Sequence, residues 1–123
     1  MTTRGIRGAT TIEVDTEENI LTYTQELLLK IQTANPDLKP GDIGSAVFTV
    51  TGDITAAFPA RAARMIGWDQ VPLICAQEIP VEGSLPRCIR ILIHWNTEKN
   101  QADIQHVYLH KAAQLRPDLN SQI

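Results

Sequence analysis

The stretch Val71–Trp95, VPLICAQEIPVEGSLPRCIRILIHW, holds two apolar runs of strand length, each with one charged residue set into it, Glu78 and Arg90. Val, Ile and Leu dominate both runs, and Pro80, Gly83 and Pro86 supply a loop between them, so two strands are predicted here. Counting by two along the second run puts Arg90, Leu92 and His94 on one face and Ile89, Ile91, Ile93 and Trp95 on the other. Arg90 thus projects from a strand predicted to be buried. A guanidinium keeps its proton, so burying it without an anion costs roughly several kcal/mol. Glu78 is one source of that anion and a bound ligand another, while an Arg90 less buried than the pattern suggests needs neither.

The 123 residues fit one domain, 1–123, with a real core and a flexible tail expected from about residue 117 to 123. A formal charge of -3 and a pI near 5.5 argue against a nucleic-acid surface, and the arginines are scattered rather than massed. No apolar run reaches membrane-spanning length and the N-terminus has no apolar signal core, so a soluble cytoplasmic protein is expected. Cys75 and Cys88 form no CxxC pair and are expected as free thiols, while His94, His106 and His110 lack the spacing of a metal site. No metal or cofactor is predicted.

The opening MTTRGIRGATT reads as a strand beginning near Arg4, with Gly5 and Gly8 permitting close approach and Arg4 and Arg7 either solvated or meeting an anion. Asp15 with Glu18 resembles a capping box, and the helix it opens carries Ile20, Tyr23, Leu27, Leu28, Ile31 and Ala34 on one face until Asn35-Pro36. Ser45–Thr51 reads as a strand, with Val47, Thr49 and Thr51 opposite Ala46, Phe48 and Val50. Pro59 starts a short second helix, PARAARMI, which Gly67 ends, and Arg61 and Arg64 lie on its adjoining faces. A last strand spans about Gln105 to Leu109 and includes Tyr108; a short helical turn and an LRPD segment follow. The order strand, helix, strand, helix, strand, strand, strand predicts an α+β fold, a mixed β-sheet with helices packed on one face. The other face is left open, which favours burial by further copies of the chain and clefts between them.

RGIRGATT, FPARAAR before Gly67-Trp68, VPLICAQE, RCIR, HVYL and LRPDL occur in this order, and over nearly the whole chain they resemble the monofunctional AroH-type chorismate mutases. The resemblance implies a homotrimer of chorismate-mutase-like, pseudo α/β-barrel architecture with three active sites in clefts between subunits. It implies the Claisen rearrangement of chorismate to prephenate, the branch step toward phenylalanine and tyrosine, without covalent intermediate, metal or cofactor. Chorismate is a dianion whose ether oxygen gains negative charge as its carbon bond breaks, and such a reaction calls for fixed cations rather than a nucleophile.

By resemblance, the catalytic residues are Arg90, at the ether oxygen and one carboxylate, and Glu78, at the ring hydroxyl. Arg7 and Tyr108 bind carboxylates, and Ile74, Cys75, Ala76, Gln77 and Glu78 line the wall, largely through their backbone. From a neighbouring subunit come Phe58, Ala60, Arg61 and Arg64 at the rim, with Leu115 and Arg116 as a partial lid. Arg61 stands where the family has lysine and Ile74 where it has threonine, changing donor geometry at the first and removing a hydroxyl at the second. Cys75 and Glu78 are three apart and would face opposite sides of a regular strand, so an irregularity is predicted near Ala76 and Gln77. Two other readings use the same residues. One is a non-catalytic trimeric protein that captures a small anionic metabolite; the other is a deaminase in which Glu78 activates water.

Overall fold

A computed structural model describes residues 2–115 of the chain. Its strands are β1 (Thr3–Thr11), β2 (Ile43–Val50), β3 (Leu73–Gln77), β4 (Cys88–Asn96) and β5 (Val107–Tyr108), and its helices are α1 (Glu17–Ala34) and α2 (Ala60–Met65). One five-stranded sheet has the order β3-β2-β4-β1-β5. β4 lies at its centre, antiparallel to β1 and β2, while β3 runs parallel to β2 and β5 parallel to β1. The sheet is therefore mixed, as the order of elements predicts.

Helix α1 forms where the apolar stripe requires it: Ile20, Leu27, Leu28 and Ile31 are buried, with Tyr23 and Ala34 packed at the margin. Its cap differs from the expected one. Thr16 is the N-cap and accepts from the Asn19 N–H at 3.1 Å, because Asp15 is occupied elsewhere. The Asp15 carboxylate accepts from the Thr55 N–H, the Thr55 hydroxyl and the Ala56 N–H, tying the start of α1 to the loop before α2.

At the other end, buried Asn35 donates to Ile31 O and Gln105 O and accepts from the Gln105 N–H. That contact shortens the last strand. Gln105, expected within it, spends its backbone groups on Asn35, so β5 keeps only Val107 and Tyr108, although the Leu109 N–H still reaches Ala9 O. β2 starts two residues earlier than predicted, and its pairing with β4 shifts between Ile43 and Ser45, leaving Gly44 as the extra residue of a bulge. In α2, Ala60, Ala62 and Ala63 are buried, and Gly67 beyond its end has φ +100°.

Ile89, Ile91, Ile93 and Trp95 of β4 face the helices with Phe48 and Ile6, and all six are buried. On the opposite face Leu92 is 39% exposed and Ile74 is 63% exposed. This face is not wholly open, however. The turn His110–Gln114 folds over one end of it, where Ala9, Cys88, Tyr108 and Ala112 form a second small core with Leu85 and Leu115. Among the described residues no helix is long and apolar enough to cross a membrane.

Candidate active site

The registers across the sheet place one row of side chains on the face away from the helices. Tyr108 of β5 pairs with Ala9 of β1, Ala9 with Arg90 of β4, Arg90 with Thr49 of β2, and Thr49 with Ala76 of β3. Small Ala9 and Thr49 beside Arg90 leave room above the sheet. Arg7, one row over, pairs with Leu92 and shares the parity of Ala9, so it stands diagonal to Arg90. The Arg7 N–H donates to Nδ1 of His106 at 2.9 Å, which ties the strand that carries Arg7 to the segment that carries Tyr108.

Glu78 lies one residue past β3. Its N–H continues the ladder to Val50 O at 2.8 Å, and its Oε2 accepts from the Thr49 hydroxyl. Arg90 Nε stands 3.5 Å from the same Oε2 yet has no hydrogen-bond partner among the described residues, although Nε itself is buried. The pair attracts across a gap without a hydrogen bond. The Arg90 side chain is 43% exposed. Arg7, Glu78, Arg90, Tyr108 and Leu115, with Val47, Thr49 and Leu92, line a concavity of about 410 Å³. Beside it, burial pushes the Cys88 thiol above its ordinary pKa against the opposing pull of Arg90, so Cys88 is a neutral thiol at physiological pH.

Five of the remaining expected residues gather elsewhere, whereas Ile74, expected on the wall, lines neither that place nor the concavity of Arg90. Phe58, Arg61, Cys75, Ala76 and Gln77 line a second concavity of about 460 Å³, together with Glu17, whose carboxylate stands 3.1 Å from Arg61. Phe58 is 68% exposed, whereas Ala60, expected at the rim, is buried in the core. Arg64 is exposed and lies outside both concavities. The irregularity expected near Ala76 and Gln77 is absent: β3 keeps its register with β2 from Leu73 to Gln77, and the Glu78 N–H extends it. Regular alternation therefore sends Cys75 toward the helices and Glu78 to the other side, and the two line different concavities of one protomer. Leu115, expected from a neighbour, lines the concavity of its own chain, and Arg116 lies outside the described residues, as does the tail from 117 to 123. Thr49, which holds Glu78, was missing from the expected site, though its parity with Val47 was readable.

The histidines serve local contacts. His94 meets Ser45 at 2.9 Å, His106 accepts from Arg7, and His110 meets Glu26 at 2.7 Å with its ring edge-on to Tyr23. Among the described residues no three His, Cys, Asp or Glu side chains group as metal ligands would. The arrangement is suited to holding an anion: Arg7, Arg90 and Tyr108 line a concavity with apolar Val47, Ile91 and Leu92, and one carboxylate is set among them.

Residues 3–119 match the family described as chorismate mutase type I. The chorismate mutase AroH of Thermus thermophilus is 55% identical over 118 residues, 96% of this chain and 97% of that protein. That of Bacillus subtilis strain 168 is 49% identical over 121 residues, covering 98% of this chain and 94% of the relative. A solved chorismate mutase from Clostridium thermocellum superposes with a TM-score of 0.87 at 49% identity, covering 89% of this chain and 97% of that one. With the whole sheet, both helices and nearly the full length accounted for, the chain belongs to the chorismate mutase type I family.

Proposed function

We infer that this chain is a chorismate mutase, an isomerase that rearranges chorismate to prephenate in the cytoplasmic route to phenylalanine and tyrosine. The observation that carries the reading is the convergence of Arg7, Arg90, Tyr108 and Glu78, from β1, β4, β5 and the end of β3, on one concavity. The rearrangement balances within one molecule: a carbon–oxygen bond breaks as a carbon–carbon bond forms. Arg7 and Tyr108 hold the substrate's carboxylates and keep its enolpyruvyl chain folded over the ring, which removes part of the entropic barrier. Arg90 faces the ether oxygen, whose charge grows toward the transition state, so its contact is stronger there than in the ground state. Glu78 accepts from the ring hydroxyl and, held by Thr49, offsets the positive charge of the two arginines.

The active form is a homotrimer with sites between subunits. Two observations support this. Phe58, Arg61 and Cys75 surround a concavity separate from that of Arg90, so one chain offers two half-sites. The exposure of Arg90 also matters: two charges 4 Å apart interact by about 1 kcal/mol in water but about 4 kcal/mol where the effective dielectric constant is near 20. A neighbouring subunit that excluded water would bring Arg90 from the first regime toward the second. In that arrangement Phe58 and Arg61 cover the site of the next subunit, and Leu115 closes its own.

Mixing the purified protein with chorismate and following the loss of its ultraviolet absorbance tests the reading. Sustained conversion to prephenate, with a trimeric mass in solution, is expected. Saturable binding of chorismate without conversion would favour a protein that captures the anion and would overturn the enzymatic reading.

A further inference from the structure

Arg87, the residue before β4, has φ +46°, a left-handed conformation that a non-glycine residue keeps only where its surroundings hold it. Its N–H is shared between both carboxylate oxygens of Asp53, at 3.1 and 3.0 Å. Its carbonyl accepts from the Ile12 N–H at 3.0 Å, and its Nε donates to Ile12 O at 3.1 Å. Asp53 reaches the next residue as well. The Thr51 hydroxyl donates to Asp53 Oδ1 at 2.5 Å and accepts from the Cys88 N–H at 3.0 Å. One carboxylate in the turn after β2 thus fixes the two consecutive N–H groups that open β4, one directly and one through Thr51.

Those two residues lie three and two positions before Arg90, at the start of the same strand. The ladder to β1 begins at Thr11 and Cys88 and the ladder to β2 at Val50 and Ile89, so Arg87 immediately precedes the first and lies two residues before the second. The first rungs of a ladder open most readily, and a rotation of the backbone there is carried along the strand to Arg90, three residues on. Asp53 itself is exposed and does not line the concavity of Arg90, so its bonded link to that site runs through the backbone of Arg87 and Cys88, while its charge reaches Cys88 through space.

We propose that Asp53 is a positioning residue for Arg90: by holding Arg87 in its left-handed conformation it sets the start of β4 and the placement of the guanidinium. The proposal rests on the role given to Arg90 above. In Asp53→Ala, kcat with chorismate falls about tenfold while KM stays within about threefold, the pattern of a contact misplaced in the transition state. Glycine adopts positive φ without steric cost, so adding Arg87→Gly recovers most of the loss. Adding Arg87→Ala removes the same side chain but keeps the strain, and recovers nothing.

Asp53→Asn keeps one acceptor oxygen, shows a smaller loss of about threefold, and stands in if the alanine variant does not fold. A second readout needs no turnover: the Nε–Hε resonance of Arg90, identified by its disappearance in Arg90→Lys, moves in Asp53→Ala and returns in the double variant with Arg87→Gly. A role for Asp53 in stability alone lowers the thermal midpoint and leaves kcat of the folded variant at the wild-type value, which overturns the proposal. Equal recovery by Arg87→Ala, or an unmoved Arg90 resonance, overturns it too. Failure of the unaltered protein to convert chorismate would instead sink the functional reading, and the resonance would still decide the clamp.

Discussion

Arg90 Nε and Glu78 Oε2 stand 3.5 Å apart, close enough to attract but without a hydrogen bond, while the Thr49 hydroxyl donates to that same Oε2. Thr49 thereby holds the carboxylate away from full engagement with the guanidinium. An ion pair this exposed contributes at most about 1 kcal/mol to folding.

Replacing Thr49 by valine keeps the shape and removes the donor. Glu78 is then free to close on Arg90, and we expect kcat/KM for chorismate to fall roughly three- to tenfold, in line with the loss of about 1 kcal/mol of hydrogen bonding. Steady-state kinetics on the folded variant measure this. A kcat/KM equal to that of the wild type would show that Thr49 does not place the carboxylate.

Asp15 gives the fold a pH dependence. Burial pushes its carboxyl up, but the Thr55 hydroxyl and the Thr55 and Ala56 N–H groups pull it down further, leaving it below the ordinary aspartate pKa. A group depressed in the folded state adds stability above its unfolded pKa and loses it as pH falls through the folded one. Asp15→Asn should therefore lower the thermal midpoint by a few degrees near pH 7, with the gap closing as pH falls below about 4. A gap that stays constant down to about pH 3, or widens, would contradict this.

Gly8 marks the close approach of β1 to α1. A Cβ there would lie 2.7 Å from Ile31 Cδ1 and 3.2 Å from Ile91 Cγ2, both in the buried core. Gly8→Ala should cost about 1–3 kcal/mol by overpacking, read as a lower urea midpoint. An unchanged midpoint would mean that α1 shifts away without cost.

Much of this was legible in the chain because alternation is a strict signal. The period-two count along Arg90, Leu92 and His94 named the face of β4 that carries the site, and the helical stripe from Ile20 to Ile31 named the face that α1 buries. What escaped was set by side chains that bond to distant backbone. Asp15 was expected to cap its own helix, yet its three donors lie about 40 residues away in the loop before α2. Gln105 was assigned to a strand, but Asn35 takes both of its backbone groups. At the site, the expected irregularity in β3 followed from assuming that Cys75 and Glu78 share one pocket of one chain. The strand is regular, and its alternation sends the two side chains to separate concavities.

The most direct test of the central claim is kcat for Arg90→Gln, a neutral side chain of similar polarity at the same place. If Arg90 stabilises charge that grows on the ether oxygen, kcat should fall by about a hundred- to a thousandfold or more, exceeding any rise in KM. A folded Arg90→Gln variant that keeps kcat within a few-fold of the wild type, with only KM raised, would show that Arg90 binds the substrate without assisting its rearrangement.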